Sequence, residues 1–251
     1  MSQDKMLIVY RACENETTVE TIKPYRPFGF NKTKNWLSLQ NNFTPNHPLC
    51  CPCDITLVMD GENDISQMFP LLNDHNGNLR IREKILTKRK LGNEKSYIYC
   101  LEYAYKHAQE YKYIYFLEDD YFHKLFWNVY LNDGLHISDS TSVVSLYDHP
   151  DRYTRDDDLV YDAEKHIFIG DFSHWRYAES TTCTWATSSE LFIKIYTFAT
   201  HYGIQDRKFF RTIKKECDVN LLTALPGIST HLHEPYISPF FTLNYFYNSQ
   251  V

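Results

Sequence analysis

The sequence predicts an α/β protein with a mostly parallel central sheet flanked by helices. Continuous apolar runs, which are typical of strands buried on both faces, occur at KMLIVYRAC, ITLVM and YIYFL. Between the second and third runs lies SYIYCLEYAYKHAQEY, in which apolar residues recur at helical spacing. Strand, crossover, strand, helix and strand is the order from which parallel sheets are built.

The composition is that of a folded protein, and it argues against several classes of function. Of the 251 residues, 43% are hydrophobic and 16% aromatic, too many for a disordered chain. A net charge of -6 argues against a general nucleic-acid binder, which needs a basic face. No apolar run reaches the roughly 18 residues of a membrane-spanning helix, so we expect no membrane span.

The seven cysteines favour reduced thiols. Their number is odd, and the N-terminus has an acidic residue and only a short apolar run, so we expect no signal peptide. The cluster HPLCCPC lacks a second CxxC or HxxxH pair that would complete a zinc site. We therefore expect a cytoplasmic protein without structural disulfides.

The first half of the chain supplies the elements of a parallel sheet. KMLIVYRAC is the first predicted strand, and a Pro- and Asn-rich stretch, 24–52, follows with a short helix at NWLSL. The second strand, 55–59, ends at Asp60, and Ser96 is the predicted N-cap of the next helix. The third strand, KYIYFL, ends in the acidic triplet EDD, 118–120.

After residue 125 the predicted elements become less regular. SVVSLYDHP is a predicted strand, and the acidic stretch DRYTRDDDLVYD is a loop. KHIFIGDFSHWRY and STTCTWATS are predicted strands or strand-like connections. Two helices follow, SSELFIKIYTFATHYG, which ends at Gly203, and DRKFFRTIKKECDVNLL, before a final strand or loop at GISTHLHEP. We expect a single domain, 1–251, with two functional halves, about 5–125 and about 126–251.

Three of the predicted strands end in residues that suit a ligand. In open parallel sheets, ligands bind outside the carboxyl ends of the strands. Tyr10 and Arg11 offer an aromatic face and a guanidinium, and Asp60 offers a carboxylate for a ribose hydroxyl or a base N–H. The triplet 118–120 offers the hard oxygen ligands that Mg²⁺ and Mn²⁺ prefer. Together these residues describe a pocket for a nucleoside diphosphate, although each acid alone could be a solvated turn.

The order of LIVYR, ITLVMDGEND, LGNEKSYIYCLEYA and YIYFLEDDYFH resembles the nucleotide-sugar half of glycosyltransferases with the GT-A fold. Three later stretches, SLYDHPDRY, SHWRYAESTTCTWAT and PGISTHLHEPYISP, are similar to a small group of bacterial and large-DNA-virus glycosyltransferases, which includes a chlorovirus rhamnosyltransferase domain. The resemblance covers about 6–241. It implies one GT-A (Rossmann-like) domain, with a donor-binding first half and an acceptor-binding second half, in the host cytoplasm if the protein is viral.

The resemblance also implies a donor site with Mn²⁺ or Mg²⁺ as cofactor. The last acid of the motif, Asp120, would be the direct metal ligand, and His231 would be a second ligand, with His233 as the alternative. Glu118 stands where the family motif has Asp. The residues expected to contact the nucleoside-diphospho-sugar are Tyr10, Arg11, Asp60, Asn93, Ser96, Glu118 and Asp119.

For the acceptor side, the resemblance implies an inverting reaction, which needs a carboxylate to take the proton of the acceptor hydroxyl. Asp206 is the expected base, with Asp171 and Glu234 as alternatives, and an ordinary helix N-cap is an equally simple role for Asp206. The residues expected to line the sugar and acceptor pocket are His174, Trp175, Ser180, Thr181 and Thr182, of which Trp175 could instead belong to the core.

The function expected from the sequence is a metal-dependent, inverting glycosyltransferase. It would move a sugar from a nucleoside-diphospho-sugar, with uridine as the usual nucleoside, to a glycan or another hydroxyl acceptor. Two alternatives stay open. One is a metal-dependent nucleotidyltransferase or phosphohydrolase that uses the same acids, and the other is an inactive relative that binds sugar or nucleotide.

Overall fold

A nine-stranded mixed β-sheet forms the centre of the computed structural model, which describes residues 3–71, 77–154 and 166–241. A separate two-stranded ribbon contains β5 and β11. The strands of the described residues are β1 (Gln3–Cys13), β2 (Cys53–Asp60), β3 (Leu79–Leu86), β4 (Tyr111–Glu118), β5 (Tyr121–His123), β6 (Ser142–Ser145), β7 (Ile167–Ile169), β8 (His174–Ala178), β9 (Trp185–Ser188), β10 (Asn220–Leu225) and β11 (Ser229–His231).

Helices cover both faces of this sheet. The α-helices of the described residues are α1 (Lys32–Asn41), α2 (Asn93–His107), α3 (Trp127–Ile137), α4 (Asp151–Thr154), α5 (Ser189–Tyr202) and α6 (Asp206–Cys217). Among the residues that the structure describes, no helix is long and apolar enough to cross a membrane.

The strand order, β3-β2-β1-β4-β9-β6-β10-β8-β7, divides the sheet into a parallel and a mixed part. β1 pairs in parallel with both β2 and β4, and β2 pairs in parallel with β3. β9 then runs antiparallel to β4 and β6, and β10 is parallel to β6. β8 runs antiparallel to both of its neighbours, β10 and β7. The α/β class is therefore confirmed, and the mostly parallel arrangement holds for the first half alone.

Alternation along β1 explains why its sequence is a continuous apolar run. Ile8 and Tyr10 point to a core that contains Trp36 of α1 and Trp127 of α3. Leu7 and Val9 point to the other face, into a core formed with α2, α5 and α6. Successive strand residues point to opposite faces, so a strand covered on both sides has no polar positions to spare.

Several predicted boundaries are corrected by the structure. Ser96 is not the N-cap of α2, because the helix begins at Asn93 after Gly92, whose positive φ of 84° suits glycine. The predicted helix DRKFFRTIKKECDVNLL ends at Cys217, and its last residues belong to β10. In the predicted loop DRYTRDDDLVYD, the first four residues form α4 and the others lie outside the described residues.

Besides β10, three further elements were missed. LRIREKIL forms β3 at the edge of the sheet. Its charged residues interrupt the apolar run by which the buried strands were predicted. WNVYLNDGLHI forms α3, and YFH, directly after the acidic triplet, forms β5. The helix at NWLSL is confirmed, and α1 extends beyond it at both ends.

Candidate functional site

A cavity of about 480 Å³ opens where β1, β2 and β4 end. The parallel register places Arg11 beside Glu118 and Cys13 beside Asp60, so the three strand ends meet at one edge. Of the residues predicted from the sequence, those that line this cavity are Arg11, Asp60, Asn93, Ser96, Glu118, Asp119, Asp120, Thr182, Asp206, His231 and the alternative His233. The donor side of the predicted site is thus brought together almost completely.

Arg11 lines the cavity near the end of β1. Its guanidinium forms an ion pair with Glu118 and donates hydrogen bonds to the backbone oxygen of Asn93 and to Ser96 Oγ, the latter at 3.1 Å. It also lies 5.6 Å from the ring centre of Tyr97. Burial raises the pKa of Glu118 even though the Arg11 charge opposes this effect. Arg11 therefore ties β4 to the first turn of α2.

Asp60 anchors the turn that precedes α2. One carboxylate oxygen accepts the backbone N–H of Leu91 at 2.6 Å, and the other accepts that of Gly92 at 3.0 Å. Asp60 is 5% exposed and still borders the cavity. Its hydrogen bonds to its own chain show a structural role, and the predicted contact with a nucleoside stays a prediction.

Asp119 is bound into the scaffold by a buried lysine. Asp119 Oδ2 accepts the backbone N–H of Cys13 at 2.9 Å and lies 2.8 Å from Lys32 Nζ. The Lys32 side chain is fully buried and also donates to the Cys13 backbone oxygen at 2.8 Å. Burial would lower the pKa of Lys32, but the charge and hydrogen bond of Asp119, together with the contact to Cys13, outweigh burial and raise it. Lys32 thus stays charged and joins α1 to the ends of β1 and β4.

Asp120 contacts Arg26 and His231 through one carboxylate oxygen and keeps the other oxygen free. Its Oδ2 lies 3.0 Å from His231 Nε2 and 2.9 Å from Arg26 Nη1. Its Oδ1 is buried, with no hydrogen-bond partner among the described residues. Burial would raise the pKa of Asp120, but His231 and Arg26 outweigh it and hold that pKa well below its usual range. The same contact raises the pKa of His231 against the effect of its burial.

The two-stranded ribbon explains why His231 lies there. β11 pairs antiparallel with β5, which places His231 opposite Tyr121, and Leu232 donates its N–H to the Asp120 backbone oxygen at 2.8 Å. The His231 ring stacks on Tyr121 with centroids 5.2 Å apart and nearly parallel planes. Pairing with this short strand from a distant part of the chain therefore orients the imidazole toward the acid.

Arg26 was missed by the sequence reasoning, as were Lys32 and Glu16. Arg26 binds both carboxylate oxygens of Glu16 at 3.0 Å and donates to the Leu232 backbone oxygen at 2.8 Å, in addition to its contact with Asp120. Arg11, Lys32 and Arg26 thus each pair with one acid of the triplet. These internal cations explain how three consecutive carboxylates are tolerated at a strand end.

One sequence signal could have revealed Lys32. It occupies the first turn of α1, directly after the N-cap Asn31. A cation at this position is unfavourable for the helix dipole, which indicates that another interaction holds it there. Arg26 lies in the irregular stretch PYRPFGF and carries no comparable signal.

Asp120 and His231 are the side chains that could hold a divalent ion. The free Asp120 Oδ1 fits this role, because buried polar atoms normally have a partner. Among the described residues, no group of three or more His, Cys, Asp or Glu side chains is arranged as a metal site. Mg²⁺ commonly takes one or two carboxylates and completes its coordination with substrate phosphates and water. The pair therefore fits an ion that is shared with a diphosphate.

Of the three predicted bases, Asp206 alone lines the cavity. It is the first residue of α6, after the N-cap Gln205, so it is not an N-cap itself. Burial raises its pKa, and the backbone N–H of Arg207, which Asp206 Oδ1 accepts at 2.6 Å, opposes this only in part. Asp171 is exposed in the β7–β8 loop, and Glu234 is exposed beyond β11.

Two predicted aromatic contacts are corrected, because both rings lie in the core. Tyr10 is 1% exposed and packs edge-on against Trp36, with centroids 5.0 Å apart. It points away from the cavity because it precedes Arg11 on the strand and so faces the opposite side of the sheet. Trp175 is fully buried in β8, where its indole N–H donates to Asp133 at 2.9 Å.

Of the other predicted residues of the sugar pocket, one lines the cavity and three do not. His174 is exposed on β8, where it pairs with Ile169 of β7, and it does not line the cavity. Thr181 is buried, and its hydroxyl lies 3.1 Å from that of Ser145. The backbone oxygen of Ser180 accepts a hydrogen bond from the Arg152 guanidinium. Thr182 lines the cavity and hydrogen-bonds the Tyr121 hydroxyl.

A second, more open groove of about 570 Å³ continues from the cavity. Asn15, Glu16, Lys23 and Lys90 border both. Lys90 donates to the Asn15 side chain at 3.0 Å, and Lys23 lies over the Tyr25 ring. Neither ammonium is paired with a carboxylate of the described residues, so this shared rim is suited to an anion.

Comparison with known proteins adds no assignment to this geometry. The chain matches no protein-family model and no curated protein sequence.

Proposed function

We propose that the protein is a metal-dependent, inverting glycosyltransferase of the GT-A fold that uses a nucleoside-diphospho-sugar, with uridine as the nucleoside. The observation that carries the proposal is the convergence of Asp120, His231 and Asp206 in one cavity at the carboxyl ends of parallel strands. This edge is where α/β sheets bind nucleotides. The acceptor would be a glycan or another hydroxyl compound.

In this proposal the donor lies across the ends of β1, β2 and β4. Asp120 and His231 would hold the Mn²⁺ or Mg²⁺ ion, which when bound would neutralise charge that develops on the leaving diphosphate. Lys23 and Lys90 stand at the cavity rim, where they would bind phosphate oxygens. Arg11 and Asp60 would shape the nucleoside end through the turn before α2, since both already bind this turn or the first turn of the helix.

Asp206 is the residue that would accept the proton of the acceptor hydroxyl. Its pKa is raised by burial, so its carboxylate is a stronger base than that of an exposed aspartate. As the acceptor oxygen attacks the anomeric carbon, the bond from that carbon to the diphosphate breaks, and the diphosphate keeps the electron pair. The transition state has oxocarbenium character, as in glycoside hydrolysis.

The proposal is tested by incubating the protein with a panel of nucleoside-diphospho-sugars and Mn²⁺ and measuring free nucleoside diphosphate. We expect release from at least one donor and its loss in Asp120→Asn. Asp139→Asn is the matched control, because Asp139 is exposed and has a positive φ of 42°, which asparagine also adopts.

The same assay separates the alternatives. Release of nucleoside monophosphate in place of diphosphate would indicate a phosphohydrolase or nucleotidyltransferase. Donor binding without turnover, unchanged in Asp120→Asn, would indicate a binding protein and overturn the enzyme proposal.

A further inference from the structure

Four aromatic rings form a continuous row beside the candidate site. Tyr25 stacks on His233 with centroids 4.1 Å apart, His233 meets Tyr236 at 4.8 Å, and Tyr236 meets His149 at 5.3 Å. Tyr25 and His233 also line the cavity. We call this row, Tyr25–His233–Tyr236–His149, the aromatic rim.

The far end of the aromatic rim leads to the candidate base. His149 Nδ1 lies 2.7 Å from Asp151 Oδ1, and Asp151 Oδ2 lies 3.6 Å from the Arg207 guanidinium. Arg207 follows Asp206 at the start of α6. The rim therefore runs from the cavity wall toward the start of α6, where Asp206 lies.

The rim is held by backbone contacts while its central ring stays open to solvent. The Tyr25 backbone oxygen accepts the N–H of Glu234 at 2.8 Å, and the Tyr147 hydroxyl donates to the backbone oxygen of Tyr236 at 2.6 Å. The Tyr236 side chain is 39% exposed. A fixed aromatic ring that is not used to fill the core presents a ready apolar face to a ligand.

We propose that the aromatic rim is the acceptor subsite, and that the acceptor is a glycan whose pyranose ring stacks on Tyr236. This inference rests on the proposed glycosyl transfer. The apolar C–H face of a pyranose would cover the Tyr236 ring, and its hydroxyls would reach the polar end of the rim at Asp151 and Arg207. One acceptor hydroxyl would then bond to the anomeric carbon of the donor as the carbon–phosphate oxygen bond breaks, and its proton would pass to Asp206.

The chemistry of the surroundings favours a glycan over an alkyl acceptor. A lipid chain needs a continuous apolar groove, whereas the cavity beside the rim is lined mainly by charged and polar side chains. A pyranose has one apolar face and a hydroxylated edge, which matches a row of rings that ends in a carboxylate and a guanidinium.

The test is saturation-transfer NMR with methyl pyranosides of the gluco, galacto and manno configurations, together with transfer assays on the same compounds. We expect at least one pyranoside to bind the unmodified protein. Tyr236→Ala should weaken that binding at least about tenfold, and Tyr236→Phe should restore it because the ring remains. Tyr105→Ala is the matched control, because Tyr105 is 44% exposed and stacks on Tyr196 away from the cavity. The Tm of each variant checks that the fold is intact.

Each outcome decides one of the two proposals. If no pyranoside binds, or if Tyr236→Ala binds as tightly as the unmodified protein, the acceptor subsite is overturned, even if donors are cleaved. If pyranosides bind through Tyr236 but no nucleoside-diphospho-sugar is cleaved, the rim stands as a carbohydrate site and the transferase proposal fails. Cleavage with transfer to a primary alcohol or a seryl peptide, and to no pyranoside, would likewise overturn the glycan acceptor.

Discussion

The carboxyl ends of β1, β2 and β4 and the segment 166–182 in the second half of the chain differ in how well their site residues could be located. At the strand ends, Arg11, Asp60 and Glu118 all line the cavity. In 166–182, His174, Trp175, Ser180 and Thr181 do not, and of the predicted pocket residues there Thr182 alone does. Parallel pairing forces neighbouring strand ends to meet, whereas composition alone does not determine which way a short strand faces. A residue's place in the topology is therefore a better guide to a site than the kind of side chain.

The largest expected effect concerns the acceptor side, where one of three candidate bases lines the cavity. Asp206→Asn should lower the rate of transfer about 10²- to 10⁴-fold with little change in Tm, since proton abstraction contributes about that much. Because burial raises the pKa of Asp206, the rate should fall as pH drops through a value above 3.8. Initial rates over a pH series would measure both effects.

Asp171→Asn and Glu234→Gln are the controls for Asp206. Both residues are exposed and lie away from the lining of the cavity, so their variants should keep the unmodified rate. If Asp206→Asn stays active while one of these is inactive, the assignment of the base moves to that residue.

The stability of the protein should depend strongly on Lys32, which joins α1 to the strand ends. Lys32→Met leaves Asp119 buried without its ion-pair partner, and breaking a buried pair in this way costs about 3–5 kcal/mol of stability. Urea denaturation would measure the loss. Lys32→Met combined with Asp119→Asn should recover most of it, because no unpaired charge remains.

Lys34→Met provides the matched control on the same helix. Lys34 is exposed in α1, so its replacement should change stability by less than about 0.5 kcal/mol. A Lys32→Met variant as stable as this control would show that the buried ion pair is dispensable.

Per pH unit, a smaller effect is expected from His123, the last residue of β5. Burial lowers the pKa of His123 to about 3, so the folded protein keeps it neutral while the unfolded chain takes up a proton below its ordinary value of 6.5. Between these two values stability should therefore fall as pH falls, by up to about 1.4 kcal/mol per pH unit from this group. Denaturation midpoints in a pH series would show this slope.

The His123 contribution can be isolated by substitution. His123→Gln should be less stable overall but should lose this part of the slope, whereas His136→Gln, at an exposed position of α3, should keep it. An unchanged slope in His123→Gln would mean that other groups cause the pH dependence.

The smallest effect is expected at His174. His174→Ala should leave both stability, within about 0.5 kcal/mol, and the transfer rate unchanged, because the side chain is exposed outside the cavity. Thr182→Ala, which removes the hydrogen bond to Tyr121, should slow transfer and cost about 1 kcal/mol. If His174→Ala abolished transfer, the contrast between the two regions would not hold.

The fold was predictable where periodicity was unambiguous. The runs that form β1, β2 and β4 are apolar throughout because helices cover both faces of these strands. β3 and β10 were missed for different reasons. β3 has the charged residues of an edge strand, and β10 follows α6 after only two residues, so that its first residues were assigned to the helix. Local patterns carry little information about such positions, because neighbours in the sheet decide their burial.

The candidate site, too, was only partly predictable from the sequence. The position of Asp120 directly after a buried strand indicated a site, and the resemblance named His231 as its companion, but Arg26 was not predicted. Both partners come from distant parts of the chain. Tyr10 stands next to Arg11 in the sequence and yet lies on the other face of the sheet. Adjacency in the chain is a poor substitute for the direction in which a side chain points.

The sequence by itself determined the α/β class, the parallel first half and the edge of the sheet at which the acids collect, because these follow from apolar periodicity and strand polarity. The tertiary structure alone decided how the three acids are neutralised. Arg11 holds Glu118, Lys32 holds Asp119, and Arg26 with His231 meets Asp120 while leaving Oδ1 free. His231 is separated from Asp120 by 111 positions, and contacts at such separations depend on packing of the whole chain.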